Sequence, residues 1–297
     1  MTEETSALKA MINAYYGITQ TPFETDQNLE TELLDHQRKV YNRVRDQSSI
    51  GAFSVIVGEP GTGKTIFKQA LLQLSNKRWS VIVLNRAIFS WNSFLQLLCE
   101  ALEIEAKGYG NKLEKEILAE VRTLNSRGKS LITIIDDAHL IPSELLKQIR
   151  LLLEDFPKNH NLVLIGQLEL ISVLKKRENE EILSRITMSE EFRPLAPAHI
   201  IEFIRTQLDR VGLPHNTFTE EAIELINKAN GGNLRATKNL CVGGMVEAIR
   251  HQTKTVDSNH INLVLDQPHW RHSNRLEGIE PVVFTNQKPK YKDKDLS

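Results

Sequence analysis

The sequence predicts an α/β fold, a parallel sheet sandwiched by helices and followed by a small all-helical lid. Three observations carry that prediction. Short apolar runs rich in β-branched residues alternate with helical patterns over the first two thirds of the 297-residue chain. The first run feeds a glycine-rich loop that opens a helix. After Pro194 the strand signal stops and only helical patterns continue.

In chain order, residues 1–40 read as an N-terminal segment with an acidic start, and residues 41–192 as the α/β unit. Phe53–Val57, Val81–Leu84, Leu131–Ile135 and Leu162–Ile165 are the predicted strands. Between and after them come helical patterns at Ile66–Leu74, Ser90–Leu102, Leu113–Asn125 and Ser143–Leu153. Such alternation implies right-handed crossovers and a sheet covered on both faces. Ser90 and Ser143 are expected N-caps. Arg193–Pro197 reads as a linker into a lid over 193–268, with helices at His199–Val211, Glu220–Asn230, Leu234–His251 and Ser258–Leu265. Thr219 would cap the second of these and Asp257 or Ser258 the last. Residues 269–297 lack periodicity and read as an extended or disordered tail, or as a docking peptide.

Composition narrows the class. Hydrophobics at 40% and charged residues at 25% are ordinary for a globular protein. No apolar run approaches the ~20 residues that cross a bilayer, and the start of the chain has no signal-peptide pattern. Two cysteines far apart, Cys99 and Cys241, suggest neither a disulfide framework nor a zinc site. The expectation is a cytoplasmic protein. Net charge is −1, but residues 1–35 hold seven carboxylates against Lys9, so the remainder is net basic by five. That alone decides nothing about nucleic acid.

Residues 58–65 read Gly58-Glu59-Pro60-Gly61-Thr62-Gly63-Lys64-Thr65. The glycines let backbone N–H groups turn inward around phosphates, and Ile66 begins a helix whose positive end faces the same anion. Lys64 would reach the β- and γ-phosphates, and the Thr65 hydroxyl would ligate Mg2+. The run Leu131–Ile135 ends in Asp136 and Asp137. Asp136 would hold the Mg2+ shell and Asp137 would polarise an attacking water. Asp137 is one methylene shorter than a glutamate, which suggests slow hydrolysis. His139 either senses the γ-phosphate or makes a structural hydrogen bond. Gln167, at the tip of a strand expected beside the one carrying Asp136, could bond both the γ-phosphate and the lytic water. Arg185 either projects across a subunit interface or is a solvated helix-end residue. Arg235, in Gly231-Gly232-Asn233-Leu234-Arg235, is positioned to reach the nucleotide from the lid.

The order of phosphate loop, Asp-Asp-Ala-His, Gly-Gln, Ser-Arg-Ile and Gly-Gly-Asn-Leu-Arg resembles an AAA+ ATPase. Within that class it is similar to the ExeA-like group. Tyr15-Tyr16-Gly17-Ile18-Thr19-Gln20-Thr21-Pro22-Phe23 resembles that group's N-terminal segment, and Ile165–Leu170 and Phe192–Leu195 its later blocks. The resemblance spans about residues 15–265. It implies ATP and Mg2+ as cofactors, Asp136 and Asp137 as the Walker B pair, Gln167 as sensor 1, Arg185 as a trans-acting finger and Arg235 as sensor 2. It also implies that Tyr16–Phe23 and His36-Gln37 flank the adenine. The chain departs from the pattern at Asp137 and at Asn233, where the group often has proline.

Members of this group are either secretion-pathway ATPases or short regulators of DNA transposition similar to TnsC, TniB and IstB. Absence of a span after the lid favours the second expectation. It brings double-stranded DNA, a transposase, a target-selection adaptor and a homo-oligomeric ring or helical filament as partners, with no membrane. Lys107, Tyr109, Asn111 and Lys112, and Lys175-Lys176-Arg177, are candidate DNA contacts, each also readable as solvated surface. A small-molecule kinase and a non-hydrolysing scaffold remain as alternatives.

Overall fold

All four predicted strands form, as β1 (Ala52–Gly58), β2 (Trp79–Leu84), β3 (Ser130–Ile135) and β4 (Asn161–Gly166), and a fifth, β5 (Met188–Phe192), joins them. The structure is a computed structural model and describes residues 3–23, 33–48, 50–85, 87–105 and 108–271. The sheet order is β2-β3-β4-β1-β5 and every pairing is parallel. β4 therefore lies between the strand feeding the phosphate loop and the strand ending in Asp136. The tips of three neighbouring strands thus carry the loop, Gln167 and Asp136 along one edge.

The apolar runs lack alternation because both sheet faces are covered. Val55, Val57, Leu131, Ile135, Leu162 and Leu164 bury against α4 (Trp91–Ala101), α5 (Asn111–Ser126) and α6 (Ser143–Glu154). Ile56, Ile132, Ile134, Val163 and Ile165 turn the other way, onto α3 (Lys64–Leu72) and α2 (Asp35–Gln47). Successive residues facing opposite cores is the period-two geometry of a strand.

α2 was not expected, because only Gln37, Val40 and Val44 bury along a helix that is otherwise charged. β5 has no apolar run: it is an edge strand, and between Met188 and Phe192 it shows polar Ser189, Glu190 and Glu191. Ser143 is not a cap; Pro142 holds that position, and the Ser143 hydroxyl instead accepts from Asn179 Nδ2 at 3.3 Å. Ser90 and Thr219 do cap their helices, and Asp257 caps the last by accepting from Asn259 and His260 N–H groups.

Two short helices, α7 (Glu169–Leu174) and α8 (Glu180–Leu183), precede β5. The lid contains α9 (Pro197–Arg210), α10 (Glu220–Asn230), α11 (Leu234–Arg250), α12 (Ser258–Leu265) and the short α13 (Pro268–Arg271). Trp270, expected at the head of a structureless tail, is buried in this lid core. The N-terminal helix α1 (Glu3–Tyr16) packs on the lid as well, burying Ile12 and Tyr16 among its residues. Lys107 and the chain from residue 272 lie outside the described residues. Among the described residues no helix is long and apolar enough to cross a membrane.

Candidate functional site

The phosphate loop leaves β1 at Gly58 and enters α3 at Lys64. Gly61 and Gly63 take φ of 83° and 93°, left-handed values that favour glycine. Four consecutive loop carbonyls each accept a hydrogen bond. Lys64 Nζ donates to Gly58 O at 2.6 Å and Glu59 O at 2.7 Å. Asn233 Nδ2 donates to Pro60 O at 2.7 Å, and Leu234 N–H to Gly61 O at 2.9 Å. With its carbonyls so engaged, the loop has its amide side left for an anion. Thr62 and Gly63 are buried; Glu59, Pro60 and Thr65 are exposed, and Ile66 packs partly against the lid core.

Lys64 sits in a charged cluster. Burial pushes its ammonium below the ordinary lysine range, the Asp136 and Asp137 carboxylates pull it back up, and Arg235 and Glu169 act more weakly in opposite directions. The loop lysine, the Asp-Asp pair and the lid arginine thus share one electrostatic neighbourhood. Asp137 adopts φ 51° and ψ 34°, a left-handed conformation that aspartate tolerates better than most residues, and heads a 3-10 turn over Ala138–Leu140. That turn closes onto Gly166, where a Cβ would lie 3.1 Å from the His139 nitrogen. Gln167, partly covered, follows immediately. His139 Nδ1 is buried without a partner, so the structural bond expected of it is not made at that atom.

The N-terminal segment contributes on the opposite side. Gln37 is 1% exposed; its Oε1 accepts from Leu34 N–H at 3.2 Å, which leaves Nε2 as a buried donor with no partner. That nitrogen lies where a Cβ on Gly63 would stand 2.2 Å away. His36 Nε2 is likewise buried and unpartnered, its ring edge-on to Phe192 at 5.6 Å. Burial, then His199, lowers its proton affinity and favours the neutral ring. The orphaned Gln37 donor against the loop fits a bound nucleotide. Phe23 is a correction: its ring is buried in the lid core, 6.1 Å from Phe218 and 6.3 Å from Phe203, and does not line an open face beside the loop.

Arg185 stands apart from all of these. Met188 pairs with Ser54 near the start of β1, whereas Phe192 pairs with Gly58 at its end. Four residues of strand separate those levels, about 13 Å. Arg185 precedes Met188, and its guanidinium binds Glu154 Oε1 at 2.8 Å, at the far end of α6. Glu154 also holds Arg150 at 2.5 Å, and the Arg185 side chain stays 52% exposed.

Three residues at this edge were not anticipated in their roles. Lys68 donates to both Asp136 and Asn85, and Asn233 ties lid to loop. Only Lys68 had a sequence signal, standing one helical turn beyond Lys64.

Residues 47–174 match the family model described as an AAA domain. General secretion pathway protein A of Aeromonas hydrophila is 25% identical over 261 residues, which cover 85% of this chain and 48% of that protein. The chain thus spans about half the length of the curated relative it matches. Among solved structures, the ORC2 protein of Aeropyrum pernix aligns with a TM-score of 0.62 at 16% identity, over 80% of this chain and 68% of that one. Cdc6p of Pyrobaculum aerophilum gives 0.63 at 16%, over 79% and 67%. The Aeropyrum pernix ORC1 protein, solved in complex with DNA, gives 0.62 at 15%, over 77% and 64%. Sheet order and loop agree with these likenesses: residues 47–174 match an AAA domain, and the chain shares the fold of these solved structures, a parallel sheet whose strand β1 feeds the glycine-rich phosphate loop.

Proposed function

We propose that this chain is an ATP-gated regulator of DNA transposition that assembles on double-stranded DNA and there recruits or stimulates a transposase. The observation that carries the assembly half is the position of Arg185. An exposed arginine that precedes Met188, itself about 13 Å along β5 from the level of Gly58, and that is bound to Glu154 at the far end of α6, is directed away from its own nucleotide and can serve a neighbour's. In this reading Lys64 holds phosphate, Thr65 and Asp136 hold Mg2+, and Asp137 and Gln167 position water. Arg185 completes the site in trans, Arg235 reports from the lid, and His36 and Gln37 border the nucleotide. A ring or helical filament follows from repeating that contact.

DNA is supported by a second feature. Trp91 Nε1 donates to Glu114 Oε1 at 2.9 Å, joining the N-terminal ends of α4 and α5. Two aromatics flank that junction, Phe89 at 70% and Tyr109 at 76% exposure, with Asn111 and Lys112 beside them. Positive helix ends, a lysine and stacking rings make a surface that tracks a phosphate backbone with little base readout. Lys175, Lys176 and Arg177 form an exposed basic run after α7 and serve as secondary contacts. The ORC1 protein above and the Drosophila ORC, at 15% identity and a TM-score of 0.62, were solved with DNA.

The test is binding of a fluorescent duplex with and without a non-hydrolysable ATP analogue, across a salt series. Binding that needs the analogue and weakens steeply with salt is expected. A transposase retained by the loaded protein–DNA complex, and not by DNA alone, is the second expected result. No analogue-dependent binding at low salt ends this reading. It would leave the alternative that the Aeromonas relative favours, a secretion-pathway ATPase.

A further inference from the structure

Lys68 is on α3, four residues beyond Lys64. Its ammonium meets Asp136 Oδ2 at 2.5 Å and Asn85 Oδ1 at 2.8 Å. The pair is well covered, with 14% of the Lys68 side chain and 19% of the Asp136 side chain exposed. The other carboxylate oxygen, Oδ1, accepts the Asp137 N–H at 2.9 Å. Below it the Asp136 N–H donates to Leu84 O at 3.1 Å, which ties the tip of β3 to the tip of β2 that carries Asn85. Both oxygens of this carboxylate therefore have a donor within the chain.

The simplest account is an ion pair that fixes the end of β3. Its location asks for more. A phosphate-loop site contributes few ligands of its own to Mg2+, because the ion keeps several waters and takes the rest from phosphate and one or two side chains. Asp136 is the only carboxylate assigned to that task here. An ammonium has three donors and no lone pair, so Lys68 can neutralise the carboxylate but cannot ligate a metal. The Asn85 contact holds it at Oδ2 instead of leaving it to swing into solvent.

We propose that Lys68 sets the divalent-cation affinity of the ATP site by holding Asp136 Oδ2 in competition with Mg2+. The proposal rests on the assignment of Asp136 to the metal. Lys68 acts through Asp136 and is a positioning residue. Its effect belongs on metal loading of the nucleotide complex, not on nucleotide binding as such. Lys68→Met keeps the apolar stem and removes the charge; Lys68→Arg keeps the charge.

The experiment uses the full chain saturated with a non-hydrolysable ATP analogue. Mn2+, a paramagnetic stand-in for Mg2+, is titrated in, and the free ion is read by electron paramagnetic resonance. Lys68→Met is expected to bind Mn2+ about three- to tenfold tighter than the parent, with Lys68→Arg within about twofold of it. Affinity for the analogue without metal should change far less. Unchanged Mn2+ binding in a cooperatively melting Lys68→Met protein overturns the proposal. Weaker binding overturns it too, because Lys68 would then be shaping Asp136 for the ion. If Lys68→Met does not fold, Asn85→Ala loosens the same ammonium and should tighten Mn2+ by about twofold; no change or weakening is again fatal. Mn2+ affinity that survives Asp136→Asn would instead overturn the assignment of Asp136 and leave the role of Lys68 without a basis.

Discussion

The α/β layer and the lid meet at the same loop but are built to different tolerances. In the layer, Lys64, Asp136 and Gln167 follow directly from three adjacent parallel strands, so the hydrogen-bonded register fixes where they stand. The lid, with its own core shared with α1, touches the loop through Asn233 and Leu234. A site placed by strand tips is insensitive to small shifts elsewhere. The lid meets the loop through a pair of hydrogen bonds to loop carbonyls, with Ile66 just beyond packed against the lid core. In the proposed function the sheet positions the site and the lid reports its state.

The largest effect expected lies in the layer, away from the strand tips. Arg185→Ala should cut phosphate release about a thousandfold in the assembled protein while nucleotide binding is kept. Mixing it with Lys64→Ala, itself dead in its own site, should restore part of the rate, since each supplies what the other lacks. A mixture no faster than its components would return the finger to the status of a helix-end ion pair. At the lid, Asn233 does two jobs that separate cleanly. Asn233→Ala should cost about 1 kcal/mol of stability through loss of the α11 cap and also weaken nucleotide binding. Asn233→Asp keeps the acceptor for Ala236 N–H but has no donor for Pro60 O. It should melt near the parent and still bind nucleotide several-fold more weakly. Equal affinity for Asp and Asn variants would mean the lid does not report through this bond.

Acid should act on the layer. His160, at the amino end of β4, has Nε2 3.0 Å from the Thr133 hydroxyl and its ring against Phe156, and burial pushes its imidazole down to about 3. A folded value below the unfolded one means the unfolded chain binds the extra proton. Stability is then complete above about pH 6.5 and falls as pH drops toward the folded value. Because the residue is only partly covered, the loss is about 1 kcal/mol at pH 5. Thermal melts at pH 7 and 5 should differ less in His160→Gln than in the parent; an identical difference removes His160 as the cause. The smallest effect is in the lid core. The Tyr16 hydroxyl is buried without a partner, and burial raises it to about 12. Tyr16→Phe should be neutral or stabilise by up to about 1 kcal/mol, and a destabilised variant would reveal a partner for that oxygen.

The same division explains what could be read from the sequence. Strands buried on both faces announce themselves as unbroken apolar runs, and four of five did. β5 did not, because three consecutive polar residues, Ser189, Glu190 and Glu191, leave it no such run. The phosphate loop and the Asp-Asp pair are local patterns and were legible. Lys68 with Asp136, and Asn233 with Pro60, join residues 68 and 173 positions apart, and no local pattern encodes such pairings. α1 was read as part of an N-terminal segment only, since its apolar stripe acquires meaning from the lid that covers it. Phe23 shows the reverse case. The resemblance of its segment implies a place beside the adenine, whereas its ring is buried in the lid core against Phe203 and Phe218.

Gly61 belongs to two structures at once. A methyl group there would sit 2.0 Å from Asn233 Oδ1, closer than any side chain can tolerate, quite apart from its φ of 83°. A glycine usually credited to the needs of a phosphate here also makes room for an asparagine of the lid. A side chain at this position would push the Asn233 amide off Pro60 O, and a defect that looked like lost affinity for ATP would originate as a lost bond between lid and loop.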